Sequence, residues 1–193
     1  MLKEITTTYL EMNSPEEFKL KEGFIQKVKL LEVENEEYIN MMLFCGVGLP
    51  WQWYSRLKWS EEQWNQYFTE FKSNLYLGLQ GNKIIGYVEL THHKDNSIEI
   101  MFFGLFPQMI GSGLGGMLLS HAIRQAWSFQ PDRIWVHTCS LDGPGALQNY
   151  LSRGFSIYKE IVEQEDVPSR EELIQLISEY YIRYVKKYSS FHD

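Results

Sequence analysis

Apolar positions along the chain follow two periods, and the elements change where the period changes. Residues 26–33 (QKVKLLEV) combine β-branched and long apolar side chains, which predicts a first strand. Residues 35–44 read as a short helix, followed by a loop around Gly46, Gly48 and Pro50. Ser60-Glu61-Glu62-Gln63 is a capping box, and the helix it opens carries Trp64, Tyr67, Phe68 and Phe71 at helical spacing. Three runs bounded by turn residues come next, over 74–79, 83–90 and 97–106, and predict an antiparallel meander. After Pro107 the period becomes helical, through Leu114, Leu118, Leu119, Ala122, Ile123, Ala126 and Trp127. Residues 133–139 (RIWVHTC) predict a buried strand, 145–153 a short helix stopped at Gly154, and 155–162 another strand. A second capping box, Ser169 to Glu172, opens a stripe of Leu173, Ile177, Tyr180, Tyr184 and Tyr188; its tyrosines also suit a strand, so both readings stand. A meander followed by strand–helix–strand–helix–strand is a mixed α/β domain. One domain spans 1–193, with an N-terminal extension over about 1–25 and a C-terminal helical extension over about 165–193.

The most informative segment runs from Leu105 to Gly116 (LFPQMIGSGLGG), where a strand ends, glycines crowd a turn and a helix begins. Backbone N–H groups exposed at a helix start, with no side chains in the way, suit a pyrophosphate. A phosphate loop of the nucleotide-hydrolase type needs Gly-Lys-Ser/Thr at its end, and Gly115-Gly116-Met117 excludes it. Gly111, Gly113 and Gly116 match the dinucleotide fingerprint, but Asp132 precedes the next strand instead of ending it, and an antiparallel hairpin leads in.

A third family fits. Residues 83–155 resemble the GNAT superfamily of acyl-CoA N-acyltransferases: a hairpin, a proline two residues past the strand, a glycine-rich turn and a helix. A short helix with Ala146 and Tyr150 then ends in Gly154-Phe155. PWQW (50–53), FGLFP (103–107), IGSGLG (110–115) and VHTCSLD (136–142) resemble a bacterial subgroup, as do YLEM (9–12) and Trp59-Ser60. The chain departs from the superfamily in having Ile110 and Ser112 at often basic positions and Gly143 where an Asn is common.

The resemblance implies a GNAT fold with a splayed central strand pair, acetyl-CoA as cosubstrate, and direct transfer of its acetyl group to an amine in a ternary complex. By resemblance, CoA contacts fall to Phe103, Gly104 and Leu105 and to the loop Ile110, Gly111, Ser112, Gly113, Leu114, Gly115 and Gly116. Tyr150 is the implied acid for the departing thiolate. The base is Glu99, or Glu89 on the partner strand, because one residue of hairpin slip reverses every side chain; the solvent side of a half-exposed strand is the competing reading of Glu99. Trp51, Trp53 and Tyr54, with His137, are candidates for the acceptor side, against ordinary core packing. Arg56 is read as a surface or gating residue, and His92-His93 as a solvated turn. His137 and Cys139 share a strand face, but their spacing supplies no third ligand or oriented base, so no metal site follows.

Composition narrows this reading. Apolar residues at 44% and aromatics at 15% suit a packed core. Eighteen basic against twenty-five acidic side chains give a net charge of −7, which argues against nucleic acid and weakly favours a cationic amine, small molecule or peptide. The two cysteines form no disulfide framework, and no run approaches the ~20 apolar residues of a membrane helix. A cytoplasmic protein without membrane contact is expected, and a homodimer stays open. A non-catalytic CoA-binding module and, last, a nicotinamide enzyme are the rival functions.

Overall fold

Alternating segments pair as expected: β3 (Lys72–Gln80), β4 (Lys83–His92) and β5 (Ser97–Leu105) form an antiparallel meander. Its first turn holds Gly81 at φ +59°, a conformation glycine adopts without the strain a Cβ brings. The computed structural model describes residues 1–21 and 28–189. Of the strand expected over 26–33 it contains β2 (Lys29–Val33), antiparallel to β3; positions 26 and 27 lie outside the described residues.

Across the meander, β5 runs parallel to β6 (Arg133–Cys139), reached through α3 (Gly115–Ser128). The helix α4 (Ala146–Leu151) then leads to β7 (Ser156–Asp166). Between β6 and β7 lies β1 (Leu2–Met12), antiparallel to both, so the seven-stranded sheet has the order β2-β3-β4-β5-β6-β1-β7. This corrects the expected N-terminal extension: residues 2–12 fill the gap between two strands of the sheet. Ile5, Leu10 and Met12 are buried, but Ile5 stands on the opposite parity to Thr8, Leu10 and Met12, which breaks the alternation that would have marked a strand. Backbone pairing to both neighbours holds β1 there as much as its few apolar side chains do.

Two helical layers cover the sheet. Leu118, Leu119, Ala122 and Ile123 of α3 pack on Ile98, Ile100, Ile134 and Val136, and Tyr150 of α4 joins them. On the other face lie α1 (Glu37–Gly48), α2 (Glu61–Glu70) and α5 (Arg170–Ser189). The loop expected at Gly46 and Gly48 is the last turn of α1. A Cβ on Gly46 would meet the Phe106 ring at 2.7 Å and one on Gly48 the Trp53 ring at 2.4 Å, so these glycines serve close packing. Both capping boxes form. The second settles the tyrosine stripe as helix α5, whose Leu173 and Tyr180 are buried against α1 and α2 residues. No helix among the described residues is long and apolar enough to cross a membrane.

Candidate active site

The site begins where two strands part. β5 and β6 pair only at Ser97 with Arg133, Ile98 with Ile134 and Glu99 with Trp135. The β4 register shifts between Glu89 and Leu90, which face Phe102 and Ile100, so Met101 is an extra residue in β5. Such a bulge bends its strand, and past it β5 diverges from β6. The gap opens into a cleft of about 810 Å³ that includes Phe103, Gly104 and Leu105 in its lining. The β5 edge unpaired by β6 therefore faces the cleft.

At one end lies the glycine loop. Gly111 and Gly113 have φ of +79° and +77°, and a Cβ on either would have nothing within 4 Å; backbone conformation, not space, calls for glycine. The amides of Gly111, Gly113, Leu114, Gly115 and Gly116 take no backbone partner among the described residues, as the first turn of a helix leaves them. Ile110, Gly111, Gly113, Gly115 and Gly116 line the cleft. Ser112 turns its hydroxyl to the Met109 carbonyl and the Leu114 side chain is buried, and neither of these two expected contacts is in the cleft lining. Sequence reasoning missed Lys21, whose Cδ lies 3.0 Å from where a Cβ of Gly116 would stand, beside the Arg153 guanidinium. Its amide is held by Ser120 Oγ at 3.3 Å. Nothing in the local pattern links a lysine before β2 to a loop after β5.

Trp51, Trp53 and Tyr54 also line the cleft, with Glu165 and Asp142. The Trp53 indole donates to Asp142 at 3.1 Å, and Asp142 also accepts from Thr138 at 2.6 Å and the Cys139 amide at 3.0 Å. Gly143, where the family often has Asn, lies 3.0 Å from the Trp51 ring by its would-be Cβ. Tyr54 donates its hydroxyl to Glu165, and burial together with that bond pushes its phenol up. Burial, then the Asp142 charge, raises the Cys139 thiol, so it is no ready nucleophile.

The two glutamates are not where the sequence put them. Neither lines the cleft. Glu89 is fully buried and takes both Arg56 nitrogens at 2.7 and 3.0 Å, with Asn40, Ser73 and Tyr67 around it. Arg56, expected as a surface or gating residue, is 2% exposed under four aromatic rings, Trp59, Trp64, Tyr67 and Phe102. Glu99 is 2% exposed and accepts from His93 Nε2 and His137 Nδ1, both at 3.0 Å. Burial works to raise its carboxyl, but the bonds from His137 and His93 outweigh this and hold it below the usual range. His92, read as solvated, bonds Asn74 at 2.9 Å, and burial, then Lys72, lowers its imidazole. His137 does line the cleft, as does Tyr150. The Tyr150 ring is wedged between Phe103 and Phe155, centroids 6.1 and 6.0 Å away, and burial followed by the Asp142 charge pushes its phenol far up.

Among solved structures, a GCN5-related N-acetyltransferase from Kribbella flavida superposes with a TM-score of 0.59 at 15% identity, over 87% of this chain and 61% of that one. A functionally unknown conserved protein from Staphylococcus epidermidis gives 0.55 at 14%, over 84% and 62%. A Bacillus subtilis acetyltransferase in complex with CoA gives 0.50 at 19%, over 69% and 79%. This chain thus spans about three fifths of the Kribbella and Staphylococcus chains, 61% and 62%. No curated protein matches it in sequence. Residues 27–155 match the sequence profile of the Acetyltransferase (GNAT) family. With its glycine loop, parted strands and meander, the chain belongs to that family.

Proposed function

We propose that the protein is an N-acetyltransferase that moves the acetyl group of acetyl-CoA to a small-molecule or peptide amine by direct attack in a ternary complex. The observation that carries this reading is one cleft that joins free amides at a helix start, an unpaired strand edge and the Tyr150 phenol. The glycine-loop amides and the positive end of α3 suit a pyrophosphate. Lys21 supplies a cation that Ile110 and Ser112 do not. The β5 edge at Phe103 to Leu105 offers N–H groups to a pantetheine arm and to the carbonyl oxygen that gains charge during attack. Tyr150 keeps its proton at neutral pH and can pass it to sulfur as the C–S bond breaks. Trp51, Trp53, Tyr54 and Glu165 make an aromatic and acidic wall, which suits a cation with an apolar body.

The test is a panel of amines scored by CoA release, run beside thermal melts. CoA and acetyl-CoA should raise the melting temperature and NADH should not, because a ligand that binds only the native state stabilises it. A shift with NADH alone would overturn the reading. CoA binding without turnover of any amine would leave a non-catalytic CoA module.

Gly113→Val should weaken CoA binding. Valine at φ +77° costs on the order of 1–3 kcal/mol of backbone strain, which the loop relieves by moving its amides. Calorimetry should find the dissociation constant raised roughly tenfold or more. Normal binding in this variant would remove the loop from the phosphate site.

A further inference from the structure

A carboxylate can only accept hydrogen bonds. Glu99 Oε1 lies 3.0 Å from His137 Nδ1, so that nitrogen carries the proton and Nε2 is the lone-pair nitrogen of the neutral ring. The two side chains differ in access: that of His137 is 39% exposed and lines the cleft, while that of Glu99 is 3% exposed and does not. On its other oxygen, Glu99 accepts from His93 Nε2 at 3.0 Å. A buried carboxylate clamped between two imidazoles, one of which reaches the cleft, is arranged to hold a histidine in a single tautomer and orientation.

We infer that His137, positioned by Glu99, is the general base that accepts the proton of the attacking amine. The inference rests on the acyl-transfer reading. As the C–N bond forms, the amine nitrogen loses a proton to His137 Nε2. As the C–S bond breaks, its electron pair stays on sulfur, which takes a proton from Tyr150 Oη. His137 then releases its proton to solvent and Tyr150 regains one, so each turnover of a neutral amine is proton-neutral. Glu99 is a positioning residue in this scheme. Being ionised, it also favours the imidazolium formed in the step.

The groups around His137 are consistent with that task. Tyr9 of β1 lies tilted beside it, ring centroids 5.8 Å apart, with the Lys159 ammonium of β7 5.2 Å from the Tyr9 ring centroid. Cys139 follows on β6 with its thiol pushed up, and is therefore uncharged at neutral pH. His93 lies beyond Glu99. Glu99 is thus the full charge hydrogen-bonded to the imidazole, and Lys159 the one shielded from it by a ring.

Two measurements test this. In ¹⁵N-imidazole NMR of the protein alone, neutral His137 should appear as the Nδ1–H tautomer, and Glu99→Gln should move its titration to lower pH by removing a negative neighbour. An Nε2–H tautomer would overturn the inference whether or not an acceptor is found. With acetyl-CoA and tyramine, spermidine and a lysine-containing peptide as acceptors, His137→Gln should lower kcat about 10²–10⁴-fold and lose the acidic limb of the pH–rate profile. The CoA melting shift should persist in that variant. In Glu99→Gln the limb should remain but move to lower pH, which a merely structural glutamate would not cause. Imidazole should restore part of the rate to His137→Gly. If wild type turns over and His137→Gln keeps both rate and limb, the inference falls and the acyl-transfer reading stands. If wild type binds CoA and acetylates no amine, both fall.

Discussion

Arg56→Met should lower stability by about 3–5 kcal/mol, the usual cost of removing one partner of a buried ion pair. For a chain of this size that is a fall of roughly 6–20 °C in melting temperature. Arg56 and Glu89 are 2% and 0% exposed in their side chains. Burial works against the Arg56 charge, and Glu89 overcomes it, so the guanidinium is held well above its ordinary range. In Arg56→Met the carboxylate would keep Asn40 and Ser73 at 3.1 Å and the Tyr67 hydroxyl, but no cation. Methionine replaces the packing volume under the aromatic rings, so the loss isolates the charge. Arg56→Met combined with Glu89→Leu should recover much of the stability, because two well-packed apolar residues often match a buried pair. A double-mutant cycle by urea unfolding would show the coupling. A single variant melting within a degree or two of wild type would mean that water reaches Glu89.

The pair also explains why neither candidate glutamate reaches the cleft. In sequence, Glu89 and Glu99 are equivalent acidic residues in facing strands. The bulge at Met101 and the burial of Arg56 separate them, and neither is visible in a local pattern. Arg56 lies in a polar-looking stretch between aromatic residues, and only folding brings α1, α2 and β4 around it. What was legible was local: both capping boxes, the meander, the helix after the glycine loop and the loop itself, whose positive φ values are conformations that only glycine adopts freely. What was not legible depended on distant pairing. β1 occupies an interior position while showing few buried apolar side chains. Lys21 meets the loop through tertiary contact. The sequence offers His137 as an acceptor-side residue or as core packing and not as a partner of Glu99, because the two lie on different strands.

Tyr150→Phe should lower kcat about 10²-fold and leave CoA binding nearly intact. General acids contribute ~10²–10⁴ in rate, and the low end applies here for a physical reason. Burial and the Asp142 charge push the phenol far above its ordinary range, so it is a weak acid that holds its proton firmly. Proton transfer from it to a thiolate, itself the weaker base, helps only late, when charge has built up on sulfur, which limits the gain. Phenylalanine keeps the ring between Phe103 and Phe155, so the cleft wall and the melting shift with CoA should not change. Two further readings separate the acid from the base. The acidic limb of the pH–rate profile belongs to the base and should survive in Tyr150→Phe. An acetyl donor with a more acidic leaving thiol should lose less rate in the variant than acetyl-CoA does, because a better leaving group needs less help. Equal losses with both donors would assign Tyr150 to orienting the thioester instead of protonating sulfur. Full activity in Tyr150→Phe would leave its ring as packing and pass the thiolate's proton to solvent.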